Sequence, residues 1–315
     1  MSTLSFFLAI LSGSFNGAYT YHLKSSENKS LSWIIFGTIT FLFIPLSLLI
    51  ASITTHNIYL NQSSIMICLL VGILFGLGMY LFSLSVKYIG IGIPFALNIS
   101  LGTISGGLFS LLIHHNYQLI NLPLITAYIN FILAIIICSI SLSLRERNDN
   151  SKYIRGLVYA LSSGLLCSFQ GATISFFSDE ILLTSHNLLA LILPWLLIFI
   201  SCSAVFILPH FIEYNKQKPI LNNGLNPITF FSGIMMSTFY ILSIIIYNLA
   251  NTYTNSFSSE YMWILFMSTI IISSCCVSHL NHEWKNKSKT STLINFLSLG
   301  LIIISIVLLG IASLR

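Results

Sequence analysis

Two short stretches of this chain repeat almost letter for letter, and each carries a carboxamide in apolar surroundings. Ser14-Phe15-Asn16-Gly17-Ala18 and Ser168-Phe169-Gln170-Gly171-Ala172 lie 154 residues apart, about half the chain. Asn and Gln carry donors and an acceptor that a helix backbone does not satisfy. Inside a bilayer, such a group faces a cavity or a partner helix. Asn98 is a third carboxamide of this kind, and the aromatics Phe15, Tyr19, Tyr21, Tyr80, Phe169, Trp195, Tyr240 and Trp263 fall near these and the other polar residues of the apolar runs, among them Ser83, Ser237 and Thr238. Stacked aromatics and amides suit a solute with apolar C–H faces and a hydroxyl rim, as a sugar ring has. The candidate substrate-binding residues are therefore Asn16, Gln170, Tyr19, Tyr80, Asn98, Phe15, Phe169 and Tyr240.

Other chemistries find little footing. There is no Gly-x-Ser-x-Gly, no His-Glu-x-x-His and no pair of carboxylates within one apolar run. No enzymatic activity is expected, and no metal or cofactor. The six cysteines, Cys68, Cys138, Cys167, Cys202, Cys275 and Cys276, all fall inside apolar runs without paired loop spacing, and read as core-filling residues. The eight histidines sit mostly at the ends of apolar runs and read as interfacial. Glu260 is the one carboxylate that falls within an apolar run, at its end, and is the candidate for proton coupling. Its alternative is a helix cap, where a negative charge is favourable.

The elements that must position these groups follow from composition. Of 315 residues, 13 are Lys or Arg and 8 are Asp or Glu, and 56% are hydrophobic. A soluble domain has about 25% charged residues; this chain has 7%. So few charges cannot cover a soluble globule, and disordered chains are apolar-poor. The chain is an all-α integral membrane protein. A bilayer core takes about 20 apolar residues per helix. Ten runs qualify: 3–22, 31–54, 63–86, 91–113, 122–144, 154–177, 187–212, 226–250, 260–280 and 290–313. The net charge of +5 comes from short loops without a basic stripe, so nucleic acid is not an expected partner.

Lys and Arg set the orientation. Lys24, Lys29, Lys87, Arg145, Arg147, Lys152, Arg155, Lys216, Lys218, Lys285, Lys287 and Lys289 all lie in or beside odd-numbered loops. The even-numbered loops carry Asp179 and Glu180, and only Arg315 breaks the pattern. The odd loops are expected in the cytoplasm and both termini outside, in a multi-pass cell (inner or plasma) membrane protein. Each half, 1–147 and 148–315, then holds five helices. Because five is odd, the second half enters the membrane upside down, forming an inverted repeat. Asn16 falls on the inner side of the midplane and Gln170 on the outer side. One half is expected to rock against the other around a central cavity.

Glycines at Gly72-x3-Gly76-x-Gly78 line one helix face and let a neighbouring backbone approach. This motif, followed by Lys87-Tyr88-Ile89-Gly90 and Gly106, resembles the L-rhamnose/proton symporters of the drug/metabolite transporter superfamily. The resemblance extends to Tyr19–Lys24, Ser32-Trp33, Arg155-Gly156-Leu157-Val158, Leu193-Pro194, Glu260-Tyr261, Glu283-Trp284-Lys285-Asn286 and Leu297-Ser298-Leu299-Gly300. It implies ten transmembrane helices in two inverted five-helix repeats and uptake of a deoxysugar driven by protons. It also places an acid where Glu260 stands. The chain departs from that family at His22, where a Pro is usual, and at Met79, where the symporter has Asn. The function expected is proton-coupled uptake of L-rhamnose or a similar sugar by alternating access. The alternatives are an exporter or exchanger of another small metabolite on the same fold, and a membrane scaffold without transport.

Overall fold

The computed structural model describes residues 3–54, 61–113, 122–145, 150–184, 188–217, 226–253, 259–285 and 288–313. Within these, the side chains of some residues near helix ends are not described. The described chain is helical throughout. Its helices are α1 Thr3–Ala18, α2 Lys29–Gly37, α3 Ile44–Thr54, α4 Gln62–Ile89, α5 Gly92–Ile113, α6 Leu122–Arg145, α7 Asn150–Thr184, α8 Leu188–Gln217, α9 Pro227–Thr252, α10 Ser259–Leu280 and α11 Lys289–Ser313. A π-helical turn, Thr38–Phe43, joins α2 to α3 in one continuous rod. Each apolar run is helical over most of its length among the described residues.

Among the described residues, six stretches are long and apolar enough to cross a bilayer: Lys29–Ser52, Gln62–Ile89, Ser151–Ile174, Ile192–Lys216, Pro227–Thr252 and Lys289–Leu308. The apolar helices Gly92–Ser105, Ile125–Cys138 and Leu265–Leu280 are shorter. The first run was expected to extend to residue 22, but α1 stops at Ala18 after 16 residues. At about 1.5 Å per residue, α1 spans roughly 24 Å. The chain then passes into a short 3-10 turn, Tyr21–Lys24.

Small residues decide which helices meet. A Cβ on Gly17 would sit 2.4 Å from the Ile270 carbonyl oxygen, so α1 and α10 touch backbone to backbone. A Cβ on Gly72 would sit 2.2 Å from the Ile198 carbonyl oxygen, and one on Gly76 2.7 Å from that of Cys202, both on α8. Gly164 of α7 lies equally close to Asn98 of α5, and Gly233 of α9 to Ile35 of α2. Serines add cross-helix bonds: Ser12 Oγ donates to the Ser243 carbonyl at 2.7 Å, and Ser163 Oγ to the Gly78 carbonyl at 2.7 Å.

The dominant packing pairs close into a ring. In order around it run α1, α9, α2, α8, α4, α7, α5, α10 and α1 again. Helices from the first and second halves alternate at every step. The remaining pair, α6 and α11, packs together outside the ring, held by reciprocal bonds between Ser141 and Ser291 at 2.7 and 2.8 Å. Exchange each element of the first half with its counterpart in the second, counting α2 and α3 as one rod, and this set of pairs maps onto itself. The two halves therefore share one core.

The helix ends beside the odd-numbered loops meet at one end of the bundle among the described residues. Lys24 Nζ donates to the Asn281 carbonyl, linking the first loop to the ninth. Ser85 Oγ donates to the Gly156 carbonyl at 2.8 Å, joining the end of α4 before the third loop to the start of α7 after the fifth. Ser232 Oγ, in α9 after the seventh loop, donates to the His22 carbonyl at 2.9 Å. Glu283 in the ninth loop accepts from the Ile91 amide at 2.8 Å, at the N-terminus of α5, where a negative charge is favoured. Gly90 beside it has φ 86°, a left-handed conformation that glycine takes without strain. The motifs around Gly90 and Glu283-Trp284, far apart in sequence, are thus one contact.

Candidate central cavity

Inside the ring lies a cavity of about 100 Å³, with walls from every ring helix except α2. Asn16, Asn98 and Gln170 all face it, with Tyr19 and Tyr240. Five of the eight candidate binding residues thus meet in one place. Phe15, Phe169 and Tyr80 are not in the wall. Phe15 packs on Phe239, Phe169 stacks on Phe109 at 4.5 Å, and Tyr80 meets the ring of His210. The reason is helical rotation: a neighbour in sequence points about 100° away, so Phe15 and Phe169 turn away when Asn16 and Gln170 turn in. Glu260 lies in the first turn of α10, but its side chain is outside the described residues. The same holds for Asp179, Glu180 and Trp263, and His56, His114, His115 and His186 are likewise outside them.

The carboxamides are held differently. Asn16 Nδ2 donates to Ser243 Oγ at 3.0 Å. Asn98 Nδ2 donates to Ser163 Oγ, which passes its own proton to the Gly78 carbonyl. Gln170 Nε2 is buried without any partner, and so is the indole Nε1 of Trp195. Both residues line the cavity. A buried donor without a partner costs about 1–3 kcal/mol, so each of these two leaves an unmet demand for an acceptor. Trp195 stood out in the sequence as an aromatic, but nothing there showed that its N–H is unpaired. Met79, Phe75, Phe82 and Phe95 complete the apolar wall.

None of the described lining residues carries a formal charge. The wall offers N–H and O–H groups beside aromatic faces, which fits an uncharged solute bearing oxygen acceptors. Ligand pockets run to about 300–1,000 Å³. This cavity is smaller than that range.

One side of the cavity is closed by aromatic rings. Tyr19 stacks on Phe36 at 5.3 Å and meets Tyr240 edge-on at 5.3 Å. Trp33 adjoins Tyr19, Phe36 and Phe206. Beyond this layer, toward the basic loops, Lys87 at the end of α4 pairs with Glu213 near the end of α8. Compared with protein-family models and with curated proteins, the chain matches none.

Proposed function

We propose that the protein is a secondary transporter that carries a small, uncharged, hydroxyl-rich solute through the central cavity by alternating access. L-rhamnose or a similar sugar taken up with protons is the leading substrate. Under this reading the two halves are inverted five-helix repeats, and the odd-numbered loops are cytoplasmic. The self-consistent exchange of helix pairs supports the repeat, and the meeting of the helix ends beside the basic loops supports the orientation. The observation that carries the reading is the pair of orphaned donors, Gln170 Nε2 and Trp195 Nε1, in the wall of a central cavity whose described lining carries no charged group.

The ring also changes what must move. Pulling one half from the other would break all eight ring interfaces, whereas parting the ring into two arcs breaks two. The moving bodies are therefore arcs that mix helices from both halves.

The test of transport is the pH of a weakly buffered suspension of de-energised cells expressing the protein. Adding the sugar substrate is expected to alkalinise the medium as protons enter with it. Efflux of preloaded solute without proton entry would favour an exporter or exchanger, and no movement in either direction for any candidate solute would favour the scaffold. Topology has its own expected result. Glu27→Cys reacts with a membrane-impermeant reagent from the cytoplasm, and Tyr253→Cys from outside. Reaction of both from one face would refute the orientation.

A further inference from the structure

His210 is the one histidine buried among the described residues, and its surroundings leave one nitrogen unaccounted for. It sits in α8 directly after Pro209, whose ring removes a backbone donor and with it one rung of the helix. The Ser83 hydroxyl has a single hydrogen, which goes to the Tyr80 carbonyl at 2.7 Å. Nε2 of His210, 3.0 Å from the same oxygen, therefore carries the ring proton and donates it. Nδ1 keeps its lone pair, and it is buried with no partner. Around the ring, Trp33 stacks at 6.0 Å, and Tyr80 and Phe206 meet it edge-on at 5.2 and 4.9 Å. These are rings of the layer that closes the cavity.

We propose that Nδ1 of His210 is a proton-binding site that controls the seal between the cavity and the basic-loop end of the bundle. The site rests on the transport reading for its purpose, but its test does not need a solute. In the closed state a proton on Nδ1 creates a buried cation whose new N–H has no acceptor. The aromatic faces soften that charge without accepting the hydrogen bond. Any state that brings Nδ1 to water or to a carboxylate binds the proton better, so lowering the pH shifts the protein toward that state.

Among the described residues, the carboxylate that acts on His210 is Glu213, one turn further along α8. The charges acting on His210 are those of Glu213 and of Lys87 on α4. Tyr80 of α4 faces it, with Tyr159 of α7 beyond, and α2 supplies Trp33 and the Ser30 hydroxyl that bonds Glu213. The π-helical turn reaches it only through Phe41 on Phe206, α9 brings Tyr240 as far as Phe36, and α3 has no titratable group. A protonated His210 competes with Lys87 for Glu213. Losing the Lys87–Glu213 pair frees only the basic-loop ends of α4 and α8, which stay packed at Gly72 and Gly76, and the rung missing at Pro209 lets the end of α8 swing.

Cys167 lines the cavity and reports on the seal. In a variant that retains only this cysteine, in sealed vesicles, a charged methanethiosulfonate is added to the basic-loop face. Its rate of reaction is divided by that of free cysteine at the same pH, which removes the effect of thiolate fraction. One proton shifts an equilibrium by at most about tenfold per pH unit. The normalised rate is expected to climb toward that slope on acidification, and only from this face. His210→Gln, which keeps a donor for Ser83 but takes up no proton, is expected to flatten it. Glu213→Gln is expected to raise the rate at alkaline pH and to make the response shallow, which covers the case where His210→Gln does not fold. Thr126→Ala, on α6 outside the ring, is expected to leave the response intact. A wild-type slope that survives in His210→Gln, or a wild-type rate that ignores pH, overturns the site whatever the protein transports. Failure to find a transported solute leaves this readout unaffected.

Discussion

Replacing Gln170 by Leu is expected to abolish solute transport and, at the same time, to make the empty protein more stable. The two effects share a cause. Gln170 Nε2 is a buried donor without a partner, and removing it relieves a cost of about 1–3 kcal/mol. Leu is also a good helix former and close in volume. The same donor is what an oxygen-bearing solute would engage, so the loss falls on the loaded state, by about 10- to 100-fold in affinity if one such bond is missing. Asn16→Leu differs in sign for stability. Its Nδ2 donates to Ser243 Oγ, so truncation loosens α1 from α9 while it weakens binding. Thermal melting in detergent and uptake by cells separate the two. A Gln170→Leu protein that melts lower than wild type and transports normally would remove Gln170 from the solute path.

Gly72→Leu is expected to prevent folding. A Cβ at Gly72 would lie 1.9 Å from Ser201 Oγ and 2.2 Å from the Ile198 carbonyl oxygen. The serine can turn, but the carbonyl is backbone, so α4 and α8 would have to separate. In lipid no hydrophobic force holds helices together, and close packing of small residues supplies the association. Overpacking typically costs about 1–3 kcal/mol; here a ring interface is lost as well, and the expected cost exceeds that range. The control is Gly300→Ala, whose Cβ meets nothing within 4 Å. It is expected to be neutral or to stabilise by up to about 1 kcal/mol, the helix preference of Ala over Gly. Recovery of a monodisperse peak on size exclusion checks both. A Gly72→Leu protein with wild-type recovery and melting would show that the crossing of α4 and α8 is not set by this contact.

The sequence by itself determined the solvent and the secondary structure. So few charged residues leave no soluble surface, and long apolar runs can satisfy their backbone in lipid only as helices or closed barrels. The paired Ser-Phe-Asn/Gln-Gly-Ala stretches and the basic odd loops were equally legible, because identity, spacing and charge are one-dimensional properties. Rotation about each helix axis was not. An apolar, lipid-facing helix has no polar stripe to mark its inner face, so Phe15 and Asn16 looked equally suited to a cavity until packing turned one in and the other out. The ring order, the shared core of the two halves and the meeting of Gly90 with Glu283 depend on contacts between residues far apart in the chain. His210 reads in the sequence as one more histidine near a helix end. Only tertiary structure encloses it in Trp33, Tyr80 and Phe206, gives its Nε2 proton to Ser83 and leaves Nδ1 alone. Burial and hydrogen bonding are properties of what surrounds a side chain, and here those surroundings come from helices α2 and α4, more than a hundred residues away.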